Sequence, residues 1–237
     1  EHEIVENSVK IPGTTAENEL GMELQPEIAL NKENVRCLRE RYKYLGAAWY
    51  QTTFMLEELP KGKRLILFLE RVIFESTVWI DGIMIGKEDS LSTPHRFDIT
   101  DRIRIGEKQL LAIRIDNRDI HEIGPYPSAY TDETQTIWNG IIGGVEFQLE
   151  DEVSIKNVIT QLKAEKRKLQ IDFGLDGQIT EISNIKIILN GEVLKAENLP
   201  KEKQKQHITM ETSLPEQLLY WEEANPQLYN MRIVLER

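Results

Sequence analysis

The stretch that decides the fold is KRLILFLERVIFESTVWIDGIMIG, residues 63–86. It is dense in β-branched and aromatic residues, and Asp81-Gly82 interrupts it between TVWI and IMIG. An Asp-Gly pair supplies the positive φ angles of a tight two-residue turn, so residues 77–86 read as a β-hairpin. The same grammar recurs on both sides, in AAWYQTTFML (47–56), HRFDIT (95–100), QLLAIRIDN (109–117) and GGVEFQLE (143–150). In LLAIRID, Leu111, Ile113 and Ile115 share one face and Leu110, Ala112, Arg114 and Asp116 the other, a period of two. No long amphipathic helical period stands out, and the expected class is all-β. A second hairpin is expected at Asn190-Gly191, between IKIIL and EVLKA.

Composition changes near Asp151. Before it aromatic residues are frequent. From Glu152 to Gln206 Phe173 is the single aromatic, among short alternating runs rich in lysine. The expected organisation is therefore two β-sandwiches, residues 1–150 and 151–237, the second the size of a small immunoglobulin-like domain without a cysteine pair.

Charge and rare residues exclude several functions. The formal net charge is -11, from 40 acids against 29 bases, a field that repels a phosphate backbone, so nucleic acid is not an expected partner. No apolar run approaches the roughly 18 residues of a membrane helix. Cys37 is the only cysteine and the four histidines are scattered, so neither a disulfide nor a metal site is expected. Nothing in the sequence calls for a cofactor.

Taken in order, GAAWYQTTFML (46–56), LFLERVIFESTVWIDGIMIG (67–86), HRFDITDRIRIGEKQLLAIRIDN (95–117) and WNGIIGGVEFQLE (138–150) resemble the amino-terminal sugar-binding domain of glycoside hydrolase family 2. VKIPGTTAENELG (9–21) is similar to the family's leading segment, and WEEANPQLYNMRIVL (221–235) to the closing strands of the immunoglobulin-like domain that follows it. The resemblance implies a galactose-binding-like jelly roll, then an immunoglobulin-like sandwich. It implies a carbohydrate substrate of the β-galactosidase, β-glucuronidase or β-mannosidase kind, and a periplasmic or secreted setting. It also implies that the two catalytic glutamates sit on a (β/α)8 barrel beyond Arg237, so no catalytic residue is assigned within the chain.

The resemblance further directs attention to AYTDETQTIWNG (129–140), where loops of such domains reach the mouth of the barrel. Sugar recognition pairs carboxylates or amides, for vicinal hydroxyls, with an aromatic face for the C–H patch of the ring. Asp132, Gln135, Trp138 and Asn139 are the candidate contacts. Thr134 and Thr136 stand where the galactosidase pattern has an acid. On the residues alone, Trp138 could equally cover the end of a core, with Gly140, Gly143 and Gly144 permitting a bulge. The long polar loop NRDIHEIGPYPSAYTDE (117–133) and the connection EDSLSTPHRFD (88–98), with His95, are lesser candidates. Two functions stay open: an ancillary portion of a glycosidase, and a stand-alone glycan- or protein-binding module.

Overall fold

The computed structural model describes residues 8–24, 40–124, 130, 137–177, 179, 182–199 and 206–237. Its strands are β1 (Gly13–Thr14), β2 (Met22–Glu23), β3 (Tyr42–Lys43), β4 (Ala47–Phe54), β5 (Lys63–Leu69), β6 (Val72–Ile73), β7 (Glu75–Ile80), β8 (Ile83–Glu88), β9 (His95–Asp98), β10 (Gln109–Asp116), β11 (Gly140–Ile141), β12 (Val145–Asp151), β13 (Val153–Lys163), β14 (Lys168–Gly177), β15 (Asn184–Leu189), β16 (Glu192–Asn198), β17 (His207–Ser213) and β18 (Met231–Glu236). Helix among the described residues is confined to short 3-10 turns, such as Thr100–Arg102 and Ala164–Lys166, so the all-β class holds. The chain divides into two compact units, 1–149 and 150–237.

In the first unit one sheet has the order β4-β10-β7-β8 and another β12-β5-β9, with smaller sheets β1-β11-β6 and β2-β3. The period of two in LLAIRID places Leu111, Ile113 and Ile115 in the core. There they meet Val78 and Ile80 of β7, Leu65, Leu67 and Leu69 of β5, and Phe97 and Ile99. Burying each of these side chains contributes about 1.5–3 kcal/mol. Strand β5 reads LILFL without alternation because Ile66, on the opposite side from Leu65 and Leu67, is buried too.

The hairpin expected at Asp81-Gly82 forms with Ile80 paired to Ile83, and φ is +48° at Asp81 and +78° at Gly82. The Asp81 carboxylate also accepts the Leu110 N–H (2.9 Å) and a Gln109 amide N–H (3.0 Å), so this turn sets where β10 begins. After β9 the chain turns on Asp98 and Thr100: the Asp98 carboxylate accepts the Thr100 N–H at 3.0 Å, and the Thr100 hydroxyl accepts the Leu65 N–H at 2.9 Å.

The second unit has sheets β13-β14-β17 and β16-β15-β18 around Ile171, Phe173, Leu175, Ile185, Ile187 and Met210. The Asn190-Gly191 hairpin is present, with Leu189 paired to Glu192.

Aromatic residues in strands commonly serve as packing anchors, and Trp49 departs from that pattern. It is 50% exposed on the outer side of β4, stacked on Trp79 with centroids 4.9 Å apart. On the intervening β10, Trp79 is opposite the small Ala112 and Trp49 is opposite Arg114, so the two indoles meet diagonally across the strand over Ala112.

Two glycines give a test of this backbone. A Cβ on Gly191 (φ +91°) meets nothing within 4 Å, whereas on Gly177 (φ +104°) it would sit 1.9 Å from the Glu152 carbonyl oxygen. Gly191→Ala is expected to cost about 1–2 kcal/mol, the penalty of positive φ. Gly177→Ala should exceed about 3 kcal/mol because backbone must move. Urea denaturation of the two variants measures this, and equal costs would contradict the packing described.

Candidate functional site

Strand β10 ends at Asp116, and the next residue, Asn117, is 1% exposed and ties three segments together. Its Oδ1 accepts the Gly46 N–H (2.8 Å), and its Nδ2 donates to the carbonyls of Tyr44 (2.9 Å) and Trp138 (3.2 Å). The next residue along that third segment, Asn139, accepts the Thr15 N–H on its own carbonyl at 3.1 Å. Trp138 and Asn139 are thus held by backbone bonds to elements far away in sequence.

The two side chains then part company. Trp138 is 37% exposed, while Asn139 is 2% exposed, with Nδ2 directed to the Tyr44 carbonyl at 3.4 Å and Oδ1 buried without a partner among the described residues. Gly140 follows at φ +112°, where a Cβ would lie 2.8 Å from the Tyr50 hydroxyl. The positive φ and that contact both call for glycine. Burial pushes the Tyr50 phenol up to about 12. Asp132 and Gln135, the other two candidates, lie outside the described residues.

Around this point the entrance of the long loop is pinned. The Tyr130 hydroxyl donates to Asp119 Oδ1 at 2.5 Å and its ring packs on Phe74 with centroids 4.3 Å apart. Asp119 also accepts the N–H groups of His121 (3.1 Å) and Glu122 (3.0 Å). The Tyr130 bond is the main reason its carboxyl titrates below the usual range. His121 Nε2 donates to the Asp89 carbonyl at 3.0 Å. His95 is structural: its Nε2 faces the Ser90 carbonyl (3.0 Å) and its Nδ1 the Ser76 hydroxyl (2.6 Å), with 2% exposure. A carbonyl only accepts, so Nε2 carries the proton, and in the neutral ring Nδ1 accepts from Ser76.

The same end of the four-stranded sheet carries a charge network that sequence reading missed. Glu75 and Asp116 are direct cross-strand partners, 7% and 5% exposed. Two carboxylates so placed repel unless cations intervene. Arg114 bonds both, at 3.0 Å to Glu75 and by a short contact to Asp116. Lys87 adds a 2.6 Å pair to Glu75 and Arg118 a 2.5 Å pair to Asp116. The visible signal was the run Arg114, Asp116, Arg118 at spacing two; its partner Glu75 is distant in sequence. Among the described residues no group of three or more His, Cys, Asp or Glu is arranged to hold a metal ion. Glu57, Glu58, Glu222 and Glu223 are all exposed.

Hydrogen bonding from Arg118, then its charge and that of Arg114, holds the Asp116 carboxyl below the ordinary range despite burial. A depressed folded pKa contributes stability that is full above the unfolded value, about 3.9, and lost as pH falls through the folded one. Asp116→Asn is therefore expected to cost about 2–4 kcal/mol near neutrality, leaving Arg114 and Arg118 under-compensated. The gap to wild type should narrow below about pH 4. Urea titrations at neutral and acid pH measure it, and a gap independent of pH would contradict this account.

Comparison with known proteins places the geometry in context. A sequence profile described as "glycosyl hydrolase 2 galactose-binding domain-like" matches residues 4–184. The β-galactosidase of Thermoanaerobacter pseudethanolicus is 29% identical over 211 residues, covering 83% of this chain and 26% of that protein. A β-glucuronidase of Formosa agariphila is 28% identical over 107 residues, 45% of this chain and 11% of that one. Among solved structures, a β-D-glucuronidase from Dictyoglomus thermophilum aligns over 97% of this chain and 38% of its own, with a TM-score of 0.55 and 18% identity. A β-glycosidase from Bacteroides vulgatus aligns over 97% and 28%, with a TM-score of 0.58 and 19% identity. These structures carry the fold, and the chain spans about a quarter of the β-galactosidase it matches. The profile covers well over half of the residues, and the chain belongs to the galactose-binding-like domain family of glycosyl hydrolase 2.

Proposed function

We propose that this chain is the non-catalytic, amino-terminal portion of a retaining glycoside hydrolase of the β-galactosidase, β-glucuronidase or β-mannosidase kind. In this reading residues 1–150 are the sugar-binding-like jelly roll and 151–237 the immunoglobulin-like sandwich. The chemistry resides on a (β/α)8 barrel of the full-length protein, and the loop end of the first unit completes the rim of its sugar site.

The observation that carries the reading is Trp138: a partly exposed indole on a backbone fixed by Asn117 and Thr15. An indole held this way offers a sugar ring a flat apolar face without the entropy cost of ordering a loop on binding. Asp132 and Gln135 are proposed to supply the polar contacts to hydroxyls. Asn139, turned inward, serves the same site by setting the direction of Trp138. The names of the relatives, β-galactosidase and β-glucuronidase, support the substrate class.

Buried Asp116, at this end, does not suit proton transfer. A retaining glycosidase needs a nucleophile and an acid/base about 5–5.5 Å apart, and the acid/base must hold a proton at working pH. Asp116 is kept ionised by two arginines.

Two measurements test the proposal. The purified chain should release no aryl alcohol from aryl β-glycosides; turnover lost on substitution within the chain would overturn it. In the full-length enzyme, Trp138→Ala should lower kcat/KM about tenfold, mainly through KM, with little change in Tm. Unchanged kinetics in a folded variant would remove Trp138 from the site.

A further inference from the structure

Strand β4 is an edge of the four-stranded sheet, and the direction of its free hydrogen-bonding groups follows from its neighbours. The Leu110 carbonyl accepts the Asp81 N–H at 2.9 Å and the Asp116 carbonyl accepts the Phe74 N–H at 3.0 Å, both on the β7 side. Backbone groups alternate along a strand, so even-numbered residues of β10 face β7 and odd-numbered ones face β4. The register pairs Leu111 with Thr52, Ile113 with Tyr50 and Ile115 with Ala48. Those three residues of β4 are thereby committed to β10, and Ala47, Trp49, Gln51 and Thr53 direct N–H and C=O outward. The Ala47 carbonyl is taken by the Tyr44 hydroxyl at 2.7 Å. The outward groups of Trp49, Gln51 and Thr53 have no partner among the described residues.

Folded proteins block such edges with charge, proline or a bulge, because an open edge is a template for another strand. The opposite edge of this same sheet is blocked in that way. Strand β8 carries Lys87 and Glu88, and its pairing with β7 is broken by a register shift between Val78 and Trp79. Over its whole length AAWYQTTF, β4 has no charge, no proline and no glycine, and Gln51, Thr52 and Thr53 are all exposed.

We propose that the β4 edge is an interface with a second copy of this chain, joined antiparallel about a two-fold axis through Gln51. A two-fold pairing must match outward-facing residues with outward-facing residues, and this one does. Gln51 faces Gln51 of the second copy, while Trp49 faces Thr53 and Thr53 faces Trp49. Each pair exchanges two backbone hydrogen bonds, so the groups without a partner among the described residues are used up. With no charged side chain in the strand, the symmetry brings no like charges together, despite the net charge of -11. On the outer face Trp49, half exposed in one chain, gains Thr53 of the second copy as cover on the side away from Trp79. This inference is independent of the sugar-site reading.

The test is sedimentation equilibrium on the chain as it stands, over a wide concentration range. The expected result is a mass rising with concentration to twice 27.5 kDa. Gln51→Lys, which sets two ammonium groups against each other at the axis, should weaken association at least about tenfold with the β-sheet circular dichroism unchanged. Register is read by cross-linking in a Cys37→Ser background. Facing residues in a hydrogen-bonded antiparallel pair have Cα atoms about 5.5 Å apart, within the roughly 4.4–6.8 Å that a disulfide spans. Gln51→Cys should therefore form a disulfide-linked dimer on oxidation and Thr53→Cys should not. A monomer at every concentration, a Gln51→Lys dimer as tight as wild type, or equal cross-linking at both positions would each overturn the proposal.

Discussion

Strand β10 is the member on which the first unit depends. Its odd-numbered side chains, Leu111, Ile113 and Ile115, lie in the centre of the core, and its backbone is shared between β4 and β7. Its start is set by Asp81 from the neighbouring hairpin and its end by Asn117, whose amide reaches Tyr44, Gly46 and Trp138. A one-residue slip of this strand would turn Arg114 and Asp116 into the core and Leu111, Ile113 and Ile115 out of it. Register, core and loop anchorage are consequently one constraint.

That constraint explains the electrostatics at the same end. Pairing β10 with β7 in this register forces Glu75 opposite Asp116, an arrangement tolerable only because Arg114 lies beside both and Lys87 and Arg118 complete the compensation. The network in turn ties β7, β8 and β10 together at this end of the sheet. Beside it, Asn117 holds the Trp138 carbonyl and the Tyr130 hydroxyl bonds Asp119. A rigid scaffold bearing a partly exposed tryptophan is the physical basis of the function proposed.

Much of the fold was legible because its signals are local. Asp81-Gly82 and Asn190-Gly191 carry their turn geometry within two residues, and the period of two in LLAIRID names its own buried face. What was not legible depends on contacts between residues far apart in sequence. Trp49 belongs to an apolar strand and reads as core, yet it is half exposed because β4 is an edge, a fact set by which strands pair with β10. Trp138 and Asn139 were singled out together as ligand-facing. Their opposite orientations follow from Thr15 and Tyr44, which nothing in the sequence connects to them. The Glu75 to Asp116 pairing was hidden in the same way. Asp132 and Gln135 lie outside the described residues and rest on sequence reasoning alone.

In the function proposed, the tryptophan-bearing end of this chain forms a rim that works only against a catalytic barrel of the full-length protein. Calorimetric titration of the purified chain with galactosides and glucuronides, run beside the full-length enzyme, tests it most directly. The account predicts no measurable heat of binding to the chain and saturable binding by the full-length protein. Saturable binding to the chain alone, lost in Trp138→Ala, would contradict it and make the first unit an autonomous sugar-binding module.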